Sequence, residues 1–210
     1  MDPDPTMKKL LLSALLAASF GAAHAGPNLV VDGSFEDQSQ AAGTWSVYNA
    51  INGWTTVSGA GIEVRNNVVG AAYEGVNFVE LDSYSNSAMA QTLTTVAGAT
   101  YDLSFAYSAR PGVSAGSNVI QVLWDGIALA AVTANGSNLS DNDWNVFKYT
   151  VTGSGSDTLS FRAIGVNDSL GGSLDAVSVT AAVPEPSTYA MMFLGLGLIG
   201  ASLSGRRKLR

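Results

Sequence analysis

Across residues 26–183, apolar and polar side chains alternate in short runs, and no stretch sustains a helical period. Tyr101, Leu103, Phe105 and Tyr107 share one phase, while Asp102, Ser104, Ala106 and Ser108 share the other. Ile120, Val122 and Trp124 alternate with Gln121 and Leu123, and Phe147, Tyr149 and Val151 with Lys148 and Thr150. Leu159, Phe161 and Ala163 alternate with Ser160 and Arg162, and Val177 and Val179 mark a last strand. Successive side chains of a strand point to opposite faces, so each run reads as a strand with one face in a core. Asp125-Gly126, Gly153-Ser154-Gly155 and Gly171-Gly172 are turn signals. The pattern predicts about eight or nine short strands with no helix between them, an all-β fold. The architecture expected is an antiparallel β-sandwich of jelly-roll type, one domain over 26–183, and 158 residues are enough to enclose a sizeable core.

Both flanks depart from this pattern. From Met7 the chain reads Met-Lys-Lys, then LLLSALLAASFGAA, then Ala23-His24-Ala25. A basic start, a short apolar stretch and a small-x-small site make a secretory signal peptide, so 1–25 is read as a leader. At the other end Val183-Pro184-Glu185-Pro186-Ser187-Thr188 precedes 16 mostly apolar residues, 189–204, and then Gly-Arg-Arg-Lys-Leu-Arg. At about 1.5 Å per residue this span is short for a bilayer of about 30 Å. The physics describes a transmembrane tail whose basic end stays in the cytoplasm and whose domain lies outside.

That tail, with Pro184, Glu185 and Pro186 ahead of a Gly-rich apolar span and an Arg-rich end, resembles the PEP-CTERM sorting tail of Gram-negative bacteria over 184–210. The same tail is sometimes named an ice-binding protein C-terminal domain, which says nothing of ice. The resemblance implies an exosortase as partner, transient anchoring in the inner membrane, and a secreted or cell-envelope location after processing. It also implies a cell that makes exopolysaccharide.

Charge and composition narrow the chemistry. Residues 26–183 hold 14 acids and 4 bases, a net charge of 4 − 14 = −10, which disfavours nucleic acid and anionic lipid as partners. The single His is His24, in the leader, and there is no Cys. The domain therefore has no imidazole or thiol for triad-type nucleophilic catalysis, redox chemistry or the usual zinc sites. Oxygen-preferring ions such as Ca²⁺ or Mg²⁺ remain. Glu80 and Asp82 are the nearest carboxylate pair, at a spacing that puts both on one strand face, but it is a spacing an acidic domain also reaches by chance. Asn135, Asn138 and Asn167 match the N-glycosylation pattern and are read as turn residues.

Asn28-Leu29-Val30-Val31-Asp32-Gly33-Ser34-Phe35-Glu36, a following Trp45 or Trp54, and a closing Leu174-Asp175-Ala176-Val177 together resemble galactose-binding-like jelly rolls and carbohydrate-binding modules of that shape. Asp32 stands where Asn is commoner. The resemblance implies that Asn28–Glu36 is the first strand. It also implies one structural calcium ion held by Glu36, Asp175 and the mid-chain Glu63. On the residues alone, Asp175 capping a turn and Glu36 in solvent is the competing reading. Asp175 is expected on the face of Val177 and Val179, where a carboxylate needs a cation or hydrogen-bond donors.

Sugar rings stack on aromatic faces while amides and charged groups bond their hydroxyls. Trp45, Trp54, Tyr73, Tyr84 and Trp144 lie near predicted turns and are the stacking candidates, with Gln91 as a polar partner; the competing reading of each aromatic is a core-edge residue. Arg110, at a strand end, is expected to pair with an acid. The function expected is a secreted, non-enzymatic binding module for bacterial extracellular polysaccharide. The alternative is a structural surface or biofilm protein without specific glycan binding.

Overall fold

A computed structural model describes residues 26–183. The leader, the sorting residues Pro184, Glu185 and Pro186 and the apolar span 189–204 lie outside the described residues. Twelve strands follow in order: β1 (Thr44–Tyr48), β2 (Ala50–Ile51), β3 (Trp54–Ser58), β4 (Ile62–Asn66), β5 (Asn77–Glu80) and β6 (Ala88–Thr94), then β7 (Thr100–Ser108), β8 (Ile120–Trp124), β9 (Ile127–Val132), β10 (Asn145–Thr152), β11 (Ser156–Ala163) and β12 (Ser173–Ala181). They form two six-stranded antiparallel sheets, ordered β1-β4-β5-β12-β7-β10 and β2-β3-β6-β11-β8-β9. There is no helix among the described residues, and the chain passes repeatedly between the sheets, as a β-sandwich requires.

The inward phase of each sheet makes the core. Phe105 on β7 meets Phe161 on β11 edge to face, with centroids 5.1 Å apart, and Trp54 on β3 packs on both Phe161 and Phe35 at 6.0 Å. This aromatic chain links the two sheets. Each such ring taken out of water contributes about 1.5–3 kcal/mol. The strands exceed the number expected because several lack visible alternation. All five residues of β4 are buried, Glu63 and Arg65 included, and β2 has only two residues.

The opening segment is not the strand expected of it. Asp32 and Phe35 adopt φ of 49° and 60°, in the left-handed region that a strand cannot hold, and residues 31–34 form a turn. An Asp at position 32 fits that turn, because short polar side chains tolerate the left-handed conformation. The segment still closes the sandwich by lying against β12. Leu29 N–H donates to Val179 O at 2.8 Å and Val177 N–H to Gly33 O at 2.8 Å. The Asn28 amide accepts from Val179 N–H and donates to Val177 O.

β12 itself carries a bulge between Asp175 and Ser178, with Ala176 at φ 48°. Asp175 pairs with Ala106 and Ser178 with Ser104, so three steps on β12 match two on β7. The extra residue turns Asp175 away from the face of Val177 and Val179. Those valines lie in the core, and Asp175 lies on the outer face of its sheet.

Gly33 is required here by contact: a Cβ on it would stand 2.0 Å from Val177 O. We expect Gly33→Ala to cost at least about 2 kcal/mol of stability in a denaturant melt. Gly116→Ala, where the nearest atom lies at 3.9 Å, serves as the control and should melt close to the parent. Equal stability of the two variants would show that the opening segment does not clasp β12.

Candidate functional site

Ile62, Val64, Val79 and Leu81 point into the core. Their neighbours Glu63, Arg65, Phe78, Glu80 and Asp82 take the outer phase of the first sheet, which in an open sandwich would face water, yet all five are buried. Loops cover them. Ala71 N–H bonds Asp141 Oδ1, while Asn142 Nδ2 and Trp144 Nε1 both donate to Ala71 O, which ties the loop 71–77 to the loop 141–144. Asp143 N–H is fixed to Ser108 Oγ on the sheet below. A third loop, 167–171, lies over Glu80 and Asp82 through its backbone N–H groups.

Under this cover four charges balance. Arg65 Nε is 2.5 Å from Glu63 Oε1, and its Nη2 contacts Glu80 Oε2. Arg110 Nη1 reaches the same Glu80 oxygen at 2.8 Å, and Gly171 N–H donates to Glu80 Oε1 at 2.6 Å. Arg110 thus pairs with an acid, as expected. Burial pushes the Glu80 carboxyl up and the Arg110 guanidinium down, and the pairing opposes both shifts. A charge cluster of this kind holds only while every partner stays, because removing one leaves a buried charge uncompensated.

Aromatic rings flank the cluster. Trp45 on β1 and Phe78 on β5 stand directly opposite Arg65 on either side, so Trp45, Arg65 and Phe78 form a row across three strands. Trp45 is 44% exposed and meets Tyr84 edge to face at 6.1 Å; Tyr84 is 68% exposed. Trp144 packs on buried Phe78 at 5.8 Å and on half-exposed Tyr73 at 6.2 Å. Two strand spacings separate Trp45 from Phe78, on the order of 10 Å.

Four of the six residues proposed for ligand binding, Trp45, Tyr73, Tyr84 and Trp144, therefore meet on one face. The other two lie elsewhere. Trp54 is 1% exposed in the core and donates its Nε1–H to Asp32 O. Gln91, on the second sheet, holds the opening segment by accepting from Val31 N–H at 2.7 Å and donating to Val31 O at 3.0 Å.

The residues proposed for calcium are also divided. Glu36 Oε1 accepts from Val76 and Asn77 N–H, and Asp175 Oδ2 from Tyr73 and Glu74 N–H, so one loop bridges both carboxylates. Gly75, at φ 65°, lets that loop pass Glu36, since a Cβ there would lie 2.3 Å from its carboxyl carbon. Glu63 is at the other end of β5, opposite Glu80 and bonded to Arg65. Backbone N–H groups supply the donors that Asp175 needs. Asn77 Oδ1 and, on the carboxyl beside Glu36, Asp32 Oδ2 are buried oxygens that lack a partner. Glu36, Asp175 and Asn77 fit a cation in part: their oxygens converge on one loop, but donors already occupy three of them.

Residues 182–208 match the PEP-CTERM protein-sorting motif. This chain carries a PEP-CTERM sorting tail. The motif implies an extracellular, envelope-associated protein and exosortase processing. Residues outside the tail are similar to other proteins. The multifunctional-autoprocessing repeats-in-toxin of Vibrio vulnificus is 32% identical over 154 residues, 72% of this chain, and the chain spans only 3% of that toxin. Among solved structures, the K1 adhesin domain of Lys-gingipain from Porphyromonas gingivalis W83 superposes with a TM-score of 0.52 at 16% identity, covering 66% of this chain and 98% of that one, and shares the fold. A family 16 carbohydrate-binding module gives a TM-score of 0.45 at 17% identity, covering 72% of this chain and 99% of that one.

The Asp175 carboxyl is pushed up to about 7, first by burial and further by the nearby Glu36 charge, against the pull of its three N–H donors. The unfolded chain loses this proton near the ordinary value of 3.8. Its contribution to stability is therefore full below that pH and is lost as pH rises through about 7. In chelated buffer the stability difference between wild type and Asp175→Asn should shrink across this window by at most about 4 kcal/mol. Millimolar calcium removes the slope if an ion binds Glu36 and Asp175. A slope identical in the two proteins would show that Asp175 is not the titrating group.

Proposed function

We propose that the protein is a non-enzymatic glycan-binding module displayed at the cell surface, which takes up extracellular polysaccharide on the outer face of its first sheet. The observation that carries this reading is the pair of surface aromatic contacts, exposed Trp45 with Tyr84 and half-exposed Tyr73 with part-buried Trp144, at the two ends of one row of the sheet. Exposed rings held rigid by edge contacts offer apolar faces to pyranose rings without a further ordering cost. The same outer face continues past β12 into a groove of about 390 Å³, lined by Asp102, Ser104, Lys148, Thr150, Ser178 and Thr180. Hydroxyls, one carboxylate and one ammonium are the groups that bond sugar hydroxyls. An extended glycan chain would run from the rings to this groove. The sorting tail supports delivery to the envelope of a Gram-negative cell, where such polymers lie.

Affinity electrophoresis or pull-down on exopolysaccharides tests the proposal. Trp45→Ala and Trp144→Ala should each weaken retention about tenfold, equivalent to about 1.4 kcal/mol. Trp45→Ala should keep the parent's melting profile, Trp144→Ala should lower it because the ring packs on Phe78 and ties two covering loops through Ala71 O, and Trp54→Ala should fail to fold. Clustering of cells or self-association with no retention on any glycan would instead establish a structural surface protein.

A further inference from the structure

After β5 the chain turns back into β6 through residues 81–87, closed by an antiparallel bridge between Asp82 and Asn86 and by the Ser87 N–H donating to Leu81 O. Three side-chain oxygens of this turn are shut off from solvent and have no hydrogen-bond partner: Asp82 Oδ1, Ser83 Oγ and Asn86 Oδ1. Asp82 is fully buried and Ser83 is 6% exposed. Directly opposed residues of an antiparallel pair carry Cβ atoms about 4.5–5.5 Å apart on one side of the ribbon. The Asp82 and Asn86 side chains therefore lie within reach of a common ligand.

The other side-chain polar atoms of Asp82 and Asn86 are already engaged. Asp82 Oδ2 accepts from Asp168 and Ser169 N–H at 3.2 Å, Asn86 N–H donates to Asn167 Oδ1, and Asn86 Nδ2 donates to Gly165 O. These bonds fold the loop 165–169 over the turn and bring the Asp168 carboxylate beside Asp82, close enough for its charge to act on that carboxyl. The Ser117 hydroxyl donates to Asp168 Oδ2 at 2.6 Å. The corner is thus rich in acceptors and short of positive charge, for Arg65 and Arg110 are both spent on Glu80. A buried polar atom without a partner costs about 1–3 kcal/mol, and a charged one more.

We propose that Asp82, Ser83, Asn86 and Asp168 bind a divalent cation, with calcium the best match. Calcium accepts six to eight oxygens, among them carboxylate, amide and hydroxyl, in irregular geometry, whereas magnesium demands a near-ideal octahedron. Backbone carbonyls and water complete the shell. Two carboxylates with neutral partners set a modest affinity, on the order of 10⁻⁴–10⁻³ M, the range of extracellular calcium modules. Among the described residues no three His, Cys, Asp or Glu side chains converge, so the site depends on its neutral oxygens. The bound ion also orders Tyr84, which sits inside the turn and leans on Trp45.

Terbium luminescence excited through Tyr84 and Trp45 tests this on the intact chain. Terbium should light up on binding and be displaced by millimolar calcium. Asp82→Asn and Asn86→Ala should each weaken terbium binding at least tenfold and abolish the rise in melting temperature with calcium, while Asp125→Asn, in the exposed turn between β8 and β9 where the Thr158 N–H keeps an oxygen acceptor, should leave both unchanged. Asn86→Ala keeps the buried carboxylate in place, so it remains informative if Asp82→Asn fails to fold. Luminescence untouched by Asn86→Ala, luminescence lost only in Asp175→Asn, or no response to either ion would overturn the assignment.

Discussion

The Glu80 carboxylate governs the outer face of the first sheet. It is fully buried on the side of a strand that would ordinarily meet water, and it is tolerated because Arg65, Arg110 and the Gly171 N–H all converge on it. These three partners come from β4, from the end of β7 and from the loop before β12. Satisfying one charge therefore fixes the places of three distant segments. The loops 71–77 and 141–144 complete the cover, and their position decides where Tyr73 and Trp144 stand.

An expensive polar layer on the surface side of a sandwich contributes little to stability, since a hydrophobic layer would hold as well. It does contribute rigidity and shape. Charged pairs with directional bonds hold the covering loops in one arrangement, and the exposed rings inherit that precision. This is the condition under which aromatic residues serve recognition. The clasp at the chain ends works in the same way. Asn28, Gly33 and the bulge at Ala176 lock the opening segment onto β12, and the bulge turns Asp175 to the outer face, where the loop through Tyr73 and Glu74 receives it.

Much of this was legible from residues alone. Alternation in 101–108, 147–151 and 159–163 marks strands that the structure contains, and the tail from Pro184 onward matches a sorting motif. Arg110, one of four bases in an acidic domain, does pair with a carboxylate. Other features were hidden for physical reasons. β4 has no burial alternation, because loops distant in sequence cover its outer residues. Arg65 and Phe78, central to the candidate site, carry no distinguishing mark in the sequence, and only the register sets them side by side. Trp54 looks like a surface candidate because it adjoins a turn signal, and Gln91 because it is a polar residue on a strand; only the packing of Phe35 on Trp54 and the bonds of Val31 to Gln91 reveal structural roles.

The sequence by itself determined the strand-forming period, the lack of any imidazole or thiol in residues 26–183, and the C-terminal sorting tail. Each of these depends on neighbouring residues or on composition, and so needs no knowledge of the fold. Tertiary structure alone decided which carboxylates share a corner, which aromatics share a face, and that the outer side of one sheet is dry. Those properties arise from contacts between residues distant in sequence, some more than a hundred positions apart, such as Asp175 with Tyr73, and from a single inserted residue at a bulge. Strand register, with a side-chain period of two, turns that one-residue offset into the difference between a core position and a site position.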